Sequence, residues 1–222
     1  MSKSIFITGT STDVGKTYVS ANIMKYLINN GYKACYYKPV LSGAEVKNNS
    51  LYAGDVEYVK DESGIKEDSC NMVSFLYTNA VSPHLASQME NNLFRMEKVI
   101  EDYRMLSKKY EYIVIEGAGG IMCPFNHDGS ILTVDIIKAL NTNAILVAPL
   151  SLGAINHTLL SVYYMEHENI KINGIIFNKY VPSLIHDNNI EFIKNYTKIN
   201  ILSIIGEDVK NINIDISKIF MV

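Results

Sequence analysis

The strongest constraint on the fold of this chain is an apolar segment near the N-terminus that leads into a glycine loop and then into Gly-Lys-Thr. Ser4-Ile5-Phe6-Ile7-Thr8 predicts a buried strand, and the loop Gly9-Thr10-Ser11-Thr12-Asp13-Val14-Gly15-Lys16-Thr17 follows it directly. An amphipathic pattern then predicts a helix that ends near Asn30-Gly31 and carries on one face Val19, Ile23, Leu27 and Ile28. This order is typical of a phosphate-binding loop, in which backbone N–H groups and a helix N-terminus hold phosphate oxygens. We therefore predict that the chain binds a nucleoside triphosphate together with Mg²⁺.

The residues inside the loop indicate how it binds phosphate and magnesium, and they differ from those of commoner phosphate loops. Lys16 is predicted to place its cation on the β- and γ-phosphates, and the Thr17 hydroxyl is predicted to ligate Mg²⁺. Four residues usually separate the two glycines, whereas Gly9 and Gly15 enclose five, and Thr10 occupies the place of the first glycine. The general phosphate-loop pattern is therefore matched with one extra residue.

Two further positions argue against regulatory nucleotide-binding proteins. Partitioning ATPases of the ParA/MinD type carry a second lysine five positions before the loop lysine, and here that position is Ser11. A GTPase would carry Asn-Lys-x-Asp after a late strand, whereas Asn178-Lys179-Tyr180-Val181 ends in valine where the guanine-reading carboxylate belongs. The sequence therefore disfavours both a ParA-like switch and a strict guanine-binding protein.

The rest of the chain alternates short β-branched runs with longer amphipathic segments. Lys33 to Lys38 predicts a second strand that Pro39 ends, and residues 41–95 are polar and loop-rich, with short helices around 53–60 and 83–90. Further helices are predicted at 96–109, 131–140, 154–168 and 184–196, and further strands at 112–116, 143–149, 172–177 and 200–205. The pattern predicts an α/β fold of the P-loop NTPase type, with a mostly parallel β-sheet covered by helices on both faces and one domain spanning residues 1–222.

Composition limits the partners of the chain. Over 222 residues the net charge is −3 and the isoelectric point is about 6.0, so no basic field favours nucleic acid. No apolar run has the length of a membrane span, and strand-like sequence begins by Ile5, which leaves no room for a signal peptide. Three widely spaced cysteines fit a reducing compartment. We expect a cytoplasmic protein without nucleic-acid or membrane partners.

Two charged residues close predicted strands and are candidates for the chemistry. Ligands of open parallel sheets bind beyond the carboxyl ends of the strands, which places Lys38 and Glu116 beside the phosphate loop. Glu116 precedes the glycine run 117–120 and is predicted to hold Mg²⁺ or its waters. From the residues alone, Asp55 is a solvated acid or a helix cap, and the segment 153–157 is a helix start.

These motifs together resemble the dethiobiotin synthetase family, whose members are ATP-dependent carboxylases of biotin biosynthesis. The matching segments, in family order and with family-like spacing from residue 4 to about 180, are Gly-Thr-x-Thr-x-Val-Gly-Lys-Thr at 9–17, Tyr37-Lys38-Pro39-Val40-x-Ser42-Gly43, Asp55, Ser82-Pro83-His84, Glu116-Gly117-Ala118-Gly119-Gly120, Leu152-Gly153-x-Ile155-Asn156-His157 and Asn178. The resemblance implies that 7,8-diaminononanoate, CO₂ and MgATP yield dethiobiotin, ADP and phosphate. An amine captures CO₂ as a carbamate, the carbamate attacks the γ-phosphate, and the second amine closes the cyclic urea.

The resemblance also assigns roles residue by residue. Lys16 and Lys38 should stabilise the carbamate and the transferring phosphoryl group, and Thr12 and Ser42 should hydrogen-bond the carbamate or the substrate amine. Mg²⁺ should be held by Thr17, Asp55 and Glu116. The other nucleotide contacts should come from Asp13, Val14, Gly15, Tyr18, Gly117 and Gly119, with Asn178 reading the base. Gly153 and Asn156 should reach the substrate carboxylate from the neighbouring subunit of a homodimer.

Two alternatives and one departure remain at this stage. Cobyrinate amide-forming relatives would add a glutamine-hydrolysing domain, for which 222 residues leave no space, and a partitioning ATPase would act through protein partners. Residues 180–222 match the family only loosely. Glu207-Asp208-Val209 follows Gly206 where the family commonly has a Gly-Glu-Ile-Pro-like turn, so the preferred nucleoside triphosphate stays open.

Overall fold

The computed structural model describes residues 2–47, 50–206 and 215–221. The strands are β1 (Lys3–Gly9), β2 (Ala34–Ser42), β3 (Glu45–Lys47), β4 (Ser50–Tyr52), β5 (Val73–Tyr77), β6 (Tyr112–Gly120), β7 (Asn143–Pro149), β8 (Ile172–Tyr180) and β9 (Ile201–Gly206). The helices are α1 (Lys16–Asn29), α2 (Gly54–Ser63), α3 (Pro83–Met89), α4 (Met96–Lys109), α5 (Thr133–Ala139), α6 (Ala154–His167), α7 (Leu184–Thr197) and α8 (Ile216–Ile219), with a 3₁₀ helix at Ser69–Asn71.

Seven strands form one sheet in the order β5-β2-β6-β1-β7-β8-β9, and every neighbouring pair in it is parallel. The strands β3 and β4 form a separate antiparallel hairpin. Helices occupy the connections between the parallel strands, as such crossovers require. The predicted α/β fold with a mostly parallel sheet is confirmed.

The central strands are buried on both faces. Ile5, Phe6 and Ile7 follow one another in β1 and are each fully buried, and so are the neighbours Tyr36 and Tyr37 in β2. Successive side chains of a strand point to opposite faces, so both faces of the sheet are covered by other elements. This explains why these strands are continuously apolar instead of alternating.

Pro39 does not end the second strand, contrary to the sequence-based prediction. The strand β2 changes partner at this point: it pairs with β6 as far as Tyr37 and with β5 from Lys38 onward. The Lys38 N–H donates to the Met72 carbonyl, on the side of the strand that faces β5. Successive N–H groups point to opposite sides, so an N–H at residue 39 would point toward β6, with which pairing ends at Tyr37. The missing donor of Pro39 therefore breaks no ladder hydrogen bond, and the strand continues to Ser42.

Other element boundaries also differ from the predictions. The strand β6 continues through the glycine run to Gly120, and β8 continues to Tyr180. The segment 41–95 contains an edge strand, β5, which joins the sheet beside β2. The departure at 207–209 lies outside the described residues. In the described part of the chain, no helix is both long and apolar enough to cross a membrane.

Candidate active site

A cavity of about 860 Å³ lies at the carboxyl ends of β1, β2 and β6. Its polar lining includes Thr12, Asp13, Lys16, Thr17, Lys38, Ser42, Asp55, Ser82 and Glu116. Its remaining lining residues are Gly15, Tyr18, Val40, Leu41, Tyr58, Ala80, Val81, Pro83, Ala118, Gly119 and Cys123. The topology thus brings together residues from the phosphate loop, two strand ends and α2, as the rule for parallel sheets predicts.

The phosphate loop is shaped by two residues with positive φ. Asp13 has φ 57° and Gly15, which caps the N-terminus of α1, has φ 95°. A Cβ on Gly15 would lie 2.0 Å from the Asn178 side-chain nitrogen, so this position requires glycine for both space and conformation. The Lys16 ammonium folds back over the loop and donates to the Ser11 carbonyl at 3.0 Å.

Two residues at the end of β8 hold the loop from the opposite side. Asn178 donates its side-chain amide to the Val14 carbonyl at 3.0 Å, and the Lys179 ammonium donates to the Asp13 carbonyl at 2.8 Å. Lys179 itself has φ 59°, a conformation that non-glycine residues seldom adopt. These contacts connect β8 directly to the phosphate loop, a connection that the failed guanine-binding motif did not indicate.

Glu116 is the centre of the polar network. Its side chain is fully buried, and its Oε1 accepts hydrogen bonds from Thr17 at 2.8 Å and from the Lys38 ammonium at 2.6 Å. Its Oε2 accepts a hydrogen bond from the Tyr36 hydroxyl at 2.8 Å. The Lys38 ammonium also lies 2.6 Å from Asp55 Oδ2. One buried cation is therefore shared by two carboxylates at the edge of the cavity.

Burial and charge act in opposite directions on the ionisable groups of this network. Burial alone would lower the pKa of Lys38, but the carboxylates of Glu116 and Asp55 outweigh it and raise this pKa. Burial alone would raise the pKa of Asp55, and the Lys38 ammonium holds it below its ordinary value. Burial and the neighbouring charge of Lys38 both lower the pKa of Lys16. The ion pairs thus keep Lys38 and Asp55 charged.

Ser42 lines the cavity and carries a side-chain hydroxyl that no described residue uses. Its Oγ is buried and has no hydrogen-bond partner among the described residues. A buried hydroxyl without a partner is costly, so a ligand that reaches this atom gains a hydrogen bond that the protein has left open. Thr12 lines the same cavity.

Three of the predicted nucleotide contacts do not line this cavity. Val14 is buried, and its Cγ2 would lie only 2.6 Å from a Cβ on Gly9. Val14 therefore packs into the space that the missing side chain of Gly9 leaves. A Cβ on Gly117 would lie 2.8 Å from Phe6, so Gly117 permits close packing behind the site. Asn178 is committed to the loop backbone. All three residues therefore shape the site from outside the cavity. Val14 and Asn178 do so with their side chains, and Gly117 does so by having none.

Gly153 and Asn156 lie in a different place. They line a second cavity of about 690 Å³ on α6 and α7, together with apolar residues such as Leu152 and Tyr163. Gly153 has φ 90° and caps the start of α6, and Asn156 is exposed. Within one chain, therefore, these two residues do not share a cavity with Lys16 and Lys38.

Several lining or contacting residues were not predicted from the sequence, among them two tyrosines and a cysteine. Tyr36 contacts Glu116, while Tyr58 and Cys123 line the cavity. The signal for Tyr36 was available, because residues two apart in a strand share a face and Tyr36 stands two before Lys38. Tyr58 and Cys123 lie in a helix and a loop whose positions depend on tertiary packing.

Known proteins resemble this chain over nearly its whole length. A family model described as "AAA domain" matches residues 3–211. The ATP-dependent dethiobiotin synthetase BioD of Clostridium kluyveri is 44% identical over 215 residues, which cover 96% of this chain and 89% of that protein. The protein of the same name from Clostridium novyi is 43% identical, and the match covers 99% of this chain and 94% of that protein. The one from Clostridium perfringens is also 43% identical, and the match covers 97% of this chain and 96% of that protein.

Solved structures share the fold at lower identity. The MinC:MinD cell division protein complex of Aquifex aeolicus matches with a TM-score of 0.60 at 18% identity, covering 94% of this chain and 83% of that chain. A ParA family ATPase from Chlorobium tepidum TLS matches with a TM-score of 0.59 at 14% identity, covering 94% of this chain and 85% of that chain. At such low identity these matches establish the sheet architecture alone.

Proposed function

The chain belongs to the ATP-dependent dethiobiotin synthetase family, and we propose from this membership and from the site geometry how its residues carry out the reaction. It is an ATP-dependent ligase of biotin biosynthesis that converts 7,8-diaminononanoate, CO₂ and ATP into dethiobiotin, ADP and phosphate. The observation that carries the proposed residue roles is the meeting of Lys16, Lys38 and the unpartnered hydroxyl of Ser42 around one cavity.

Negative charge is created or moved in each step of the reaction. An amine nitrogen attacks the carbon of CO₂ and loses a proton, which gives a carbamate. A carbamate oxygen then attacks the γ-phosphorus, and ADP leaves. The second amine attacks the carbamoyl carbon and expels phosphate, which closes the urea ring. Positioned cations and hydrogen-bond donors are the groups that stabilise such steps.

We propose that the two lysines and two hydroxyls provide this stabilisation. Lys16 contacts the transferring phosphoryl group, and Lys38 stabilises the carbamate next to it. Thr12 and Ser42 hydrogen-bond the carbamate or the reacting amine. Because these groups act on charge alone, no covalent nucleophile is required. The thiol of Cys123 fits this proposal, since burial raises its pKa to about 11 and leaves it protonated near neutral pH.

The residues present also fit a magnesium ion. The described residues contain no group of three or more His, Cys, Asp and Glu side chains suited to hold a metal, so an all-protein cage is not formed there. Mg²⁺ instead typically takes one or two carboxylates, and nucleotide phosphates and waters complete its shell. Asp55, Glu116 and the Thr17 hydroxyl supply such a partial set at the cavity wall. We propose that these three hold Mg²⁺, which neutralises charge on the phosphates when bound.

Nucleotide recognition at the base rests on β8. We propose that Asn178 has two roles: its side-chain amide donates to the Val14 carbonyl, and the residue also contacts the base of the nucleotide. Lys179 lies beside it and donates to the Asp13 carbonyl. Asp13 and Gly15 of the loop, Tyr18 of α1 and Gly119 of β6 line the same cavity as Lys16. Competition of ATP with other nucleoside triphosphates, measured with Asn178→Ala beside wild type, would reveal a base-reading role as a change in their relative affinities.

We propose that the enzyme is a homodimer whose partner completes the diamine site. The support is the separate position of Gly153 and Asn156 and the exposed apolar surface around them. Leu152 is 98% exposed, Tyr163 is 69% exposed and Leu160 is 59% exposed. Single exposed apolar residues are ordinary, but a cluster of them around a cavity marks an interaction surface. The N-terminus of α6 supplies N–H donors that suit the substrate carboxylate.

A cytoplasmic location is proposed as well. It agrees with the three free cysteines at positions 35, 70 and 123. Labelling of intact and lysed cells with a membrane-impermeant thiol reagent checks this, because exposed Cys70 should react only after lysis. Reaction of Cys70 in intact cells would contradict a cytoplasmic location.

The activity itself is tested by ATP turnover with bicarbonate, measured with and without the diamine. Turnover should depend on 7,8-diaminononanoate, and dethiobiotin should form in proportion to ADP. Turnover that ignores the diamine would instead favour a partitioning-type ATPase. A monoamine of the same chain length is the matched control, because it can form a carbamate but cannot close the ring.

The dimer is tested by subunit complementation. Lys38→Leu and Asn156→Ala are each expected to lower dethiobiotin formation, the second mainly through a higher KM for the diamine. Mixed dimers of the two variants contain one site with both wild-type residues if Asn156 acts across the interface. Recovery of activity on mixing is therefore expected. Lack of recovery in dimers proven to be mixed would place Asn156 in its own subunit's site or outside the site.

A further inference from the structure

Tyr36 lies behind the proposed metal site and contacts one of its carboxylates. It is fully buried in β2, and its hydroxyl donates to Glu116 Oε2 at 2.8 Å. The other oxygen of that carboxylate, Oε1, accepts hydrogen bonds from Thr17 and Lys38, which both line the cavity. The carboxylate is thus divided, with Oε1 bonded to cavity-lining groups and Oε2 bonded to the core.

The hydrogen bond from Tyr36 limits how Glu116 can contact a cation. A carboxylate that chelates a metal with both oxygens must turn both of them toward the ion. Here Oε2 faces the Tyr36 hydroxyl in the core, so turning it toward the cavity would strain or break a hydrogen bond between two buried groups, which is costly. Glu116 is therefore held in the arrangement that presents one oxygen to the cavity.

Divalent cations respond differently to this restriction. Ca²⁺ takes six to eight oxygen ligands and accepts carboxylates in either one-oxygen or two-oxygen contact, whereas Mg²⁺ requires a small octahedral shell. A carboxylate limited to one oxygen suits the smaller shell and removes a ligand from the larger one. Groups behind a metal ligand commonly change metal affinity by about 10- to 100-fold when they are mutated.

We propose that Tyr36 is a positioning residue that keeps Glu116 in one-oxygen contact and thereby makes the site select Mg²⁺ over Ca²⁺. This inference rests on the proposed role of Glu116 in holding the metal. It assigns to Tyr36 no contact with substrate, nucleotide or metal. Its effect reaches the site only through the carboxylate of Glu116.

The neighbouring Tyr37 provides a matched control. It is also fully buried in β2, but its hydroxyl contacts Ser74 Oγ at 2.5 Å and the Val99 carbonyl at 3.1 Å, away from the cavity. Tyr36→Phe and Tyr37→Phe therefore each remove one buried, hydrogen-bonded hydroxyl from adjacent positions of the same strand. A general effect of loosening β2 would appear in both variants.

The experiment measures binding of a non-hydrolysable ATP analogue by calorimetry while Mg²⁺ or Ca²⁺ is titrated. Wild type should bind the analogue with a clear preference for Mg²⁺. In Tyr36→Phe the ratio of Mg²⁺ to Ca²⁺ affinity should fall by about 10-fold or more, while Tyr37→Phe keeps the wild-type ratio. In turnover with Mg²⁺, Tyr36→Phe should change the half-saturating metal concentration and leave the KM for the diamine within about two-fold.

Several results would overturn the inference. A folded Tyr36→Phe with the wild-type metal ratio would do so, and so would an equal change in Tyr37→Phe. If Tyr36→Phe does not fold, the wild type still decides, because equal affinity for Mg²⁺ and Ca²⁺ would leave nothing for Tyr36 to select. Analogue binding that needs no divalent ion would instead refute the proposed metal site, and with it this inference, while the diamine-dependent activity would still stand.

Discussion

Two buried carboxylates in this protein have similar partners and different surroundings. Glu116 accepts hydrogen bonds from a lysine, a tyrosine and a threonine. Glu67, which is 5% exposed, accepts them from Lys109 at 2.5 Å and Tyr110 at 2.6 Å on one oxygen. Its other oxygen accepts from the Asn71 side chain and the Asp68 N–H. By burial and by partner type alone, the two groups would be given the same role.

The two carboxylates differ in their position relative to the cavity and in whether a partner is shared with a second carboxylate. Both oxygens of each carboxylate accept hydrogen bonds from protein donors, but Glu67 does not line the cavity beside the phosphate loop. Glu116 shares Lys38 with Asp55 and does line that cavity. A ligand that enters there can therefore take the place of a partner of Glu116, whereas Glu67 does not face that cavity. We infer that two features distinguish a functional carboxylate from a structural one better than burial or charge does. The functional carboxylate shares its cation with a second carboxylate, and it lines a cavity.

The largest expected effect is on Glu116. Glu116→Gln should lower dethiobiotin formation by a factor on the order of 10²–10³, because the site loses a negative charge that we assign to the metal. The product assay measures this, and circular dichroism checks that the fold persists. A variant with full activity would place Glu116 in the same structural class as Glu67.

Lys38 is the shared partner that distinguishes the two sites, so its removal comes next. Lys38→Leu should lower activity by on the order of 10²-fold, since the cavity then loses the cation that we assign to the carbamate. Binding of the ATP analogue should change much less than turnover. An active Lys38→Leu enzyme would mean that the ion pair with Glu116 is structural, as Lys109 is for Glu67.

Glu67 should show the reverse behaviour. Glu67→Gln should lower the free energy of unfolding by about 1.5–3 kcal/mol, which is typical for hydrogen bonds to a charged group, and leave kcat and KM unchanged. Denaturant unfolding followed by circular dichroism measures the stability. A loss of activity in protein that is still folded would contradict the structural role.

The stabilisation by Glu67 should depend on pH in a defined direction. Burial alone would raise the pKa of Glu67, but the hydrogen bonds from Lys109, Tyr110 and Asn71 lower it from an ordinary value of 4.5 to about 2. A carboxyl with a lowered pKa stabilises the fold above its unfolded pKa, and this contribution is lost as pH falls. The stability difference between wild type and Glu67→Gln should therefore be full above pH 4.5 and shrink toward pH 2. A difference that stays constant across this window would contradict the assignment.

The smallest expected effect compares the two tyrosine hydroxyls. Tyr110→Phe removes the hydroxyl from Glu67 and should cost about 1 kcal/mol of stability, with no change in metal preference. Tyr36→Phe, in contrast, should change metal preference as well. Parallel melting curves and metal titrations of the two variants make the comparison direct. A change of metal preference in Tyr110→Phe would show that such changes do not report on the site.

Much of the architecture was predictable because its signals are local. The phosphate loop follows from a strand, a glycine loop and a helix that adjoin one another in the chain, and Lys38 and Glu116 follow from the rule about strand ends. The edge strand β5 and the continuation of β2 past Pro39 were not predicted. Both depend on which neighbour β2 has at each residue, and that is a property of the assembled sheet.

The candidate site divides in the same way. Glu116 could be proposed as a metal ligand from its place after an apolar strand, but the residues alone could not raise Asp55 above a solvated acid. The family resemblance selected Asp55 as a metal ligand, and the structure places it in the network through its contact with Lys38 at 2.6 Å. Tyr36 had a usable signal in its spacing from Lys38, yet only the observed hydrogen bond identifies Glu116 as its partner.

By itself, the sequence determined that the chain forms a parallel α/β sheet with a phosphate loop after its first strand, and its motifs indicated the enzyme family. The tertiary structure decided which side chains meet: Thr17 and Glu116 are 99 residues apart in the chain, and Lys38 and Glu116 are 78 apart. The physical reason is that helix and strand periodicities act over a few residues, whereas these contacts depend on the order and register of whole strands. The same distinction separates Glu116 from Glu67, because only the folded chain places Glu116 beside a cavity and Glu67 away from it.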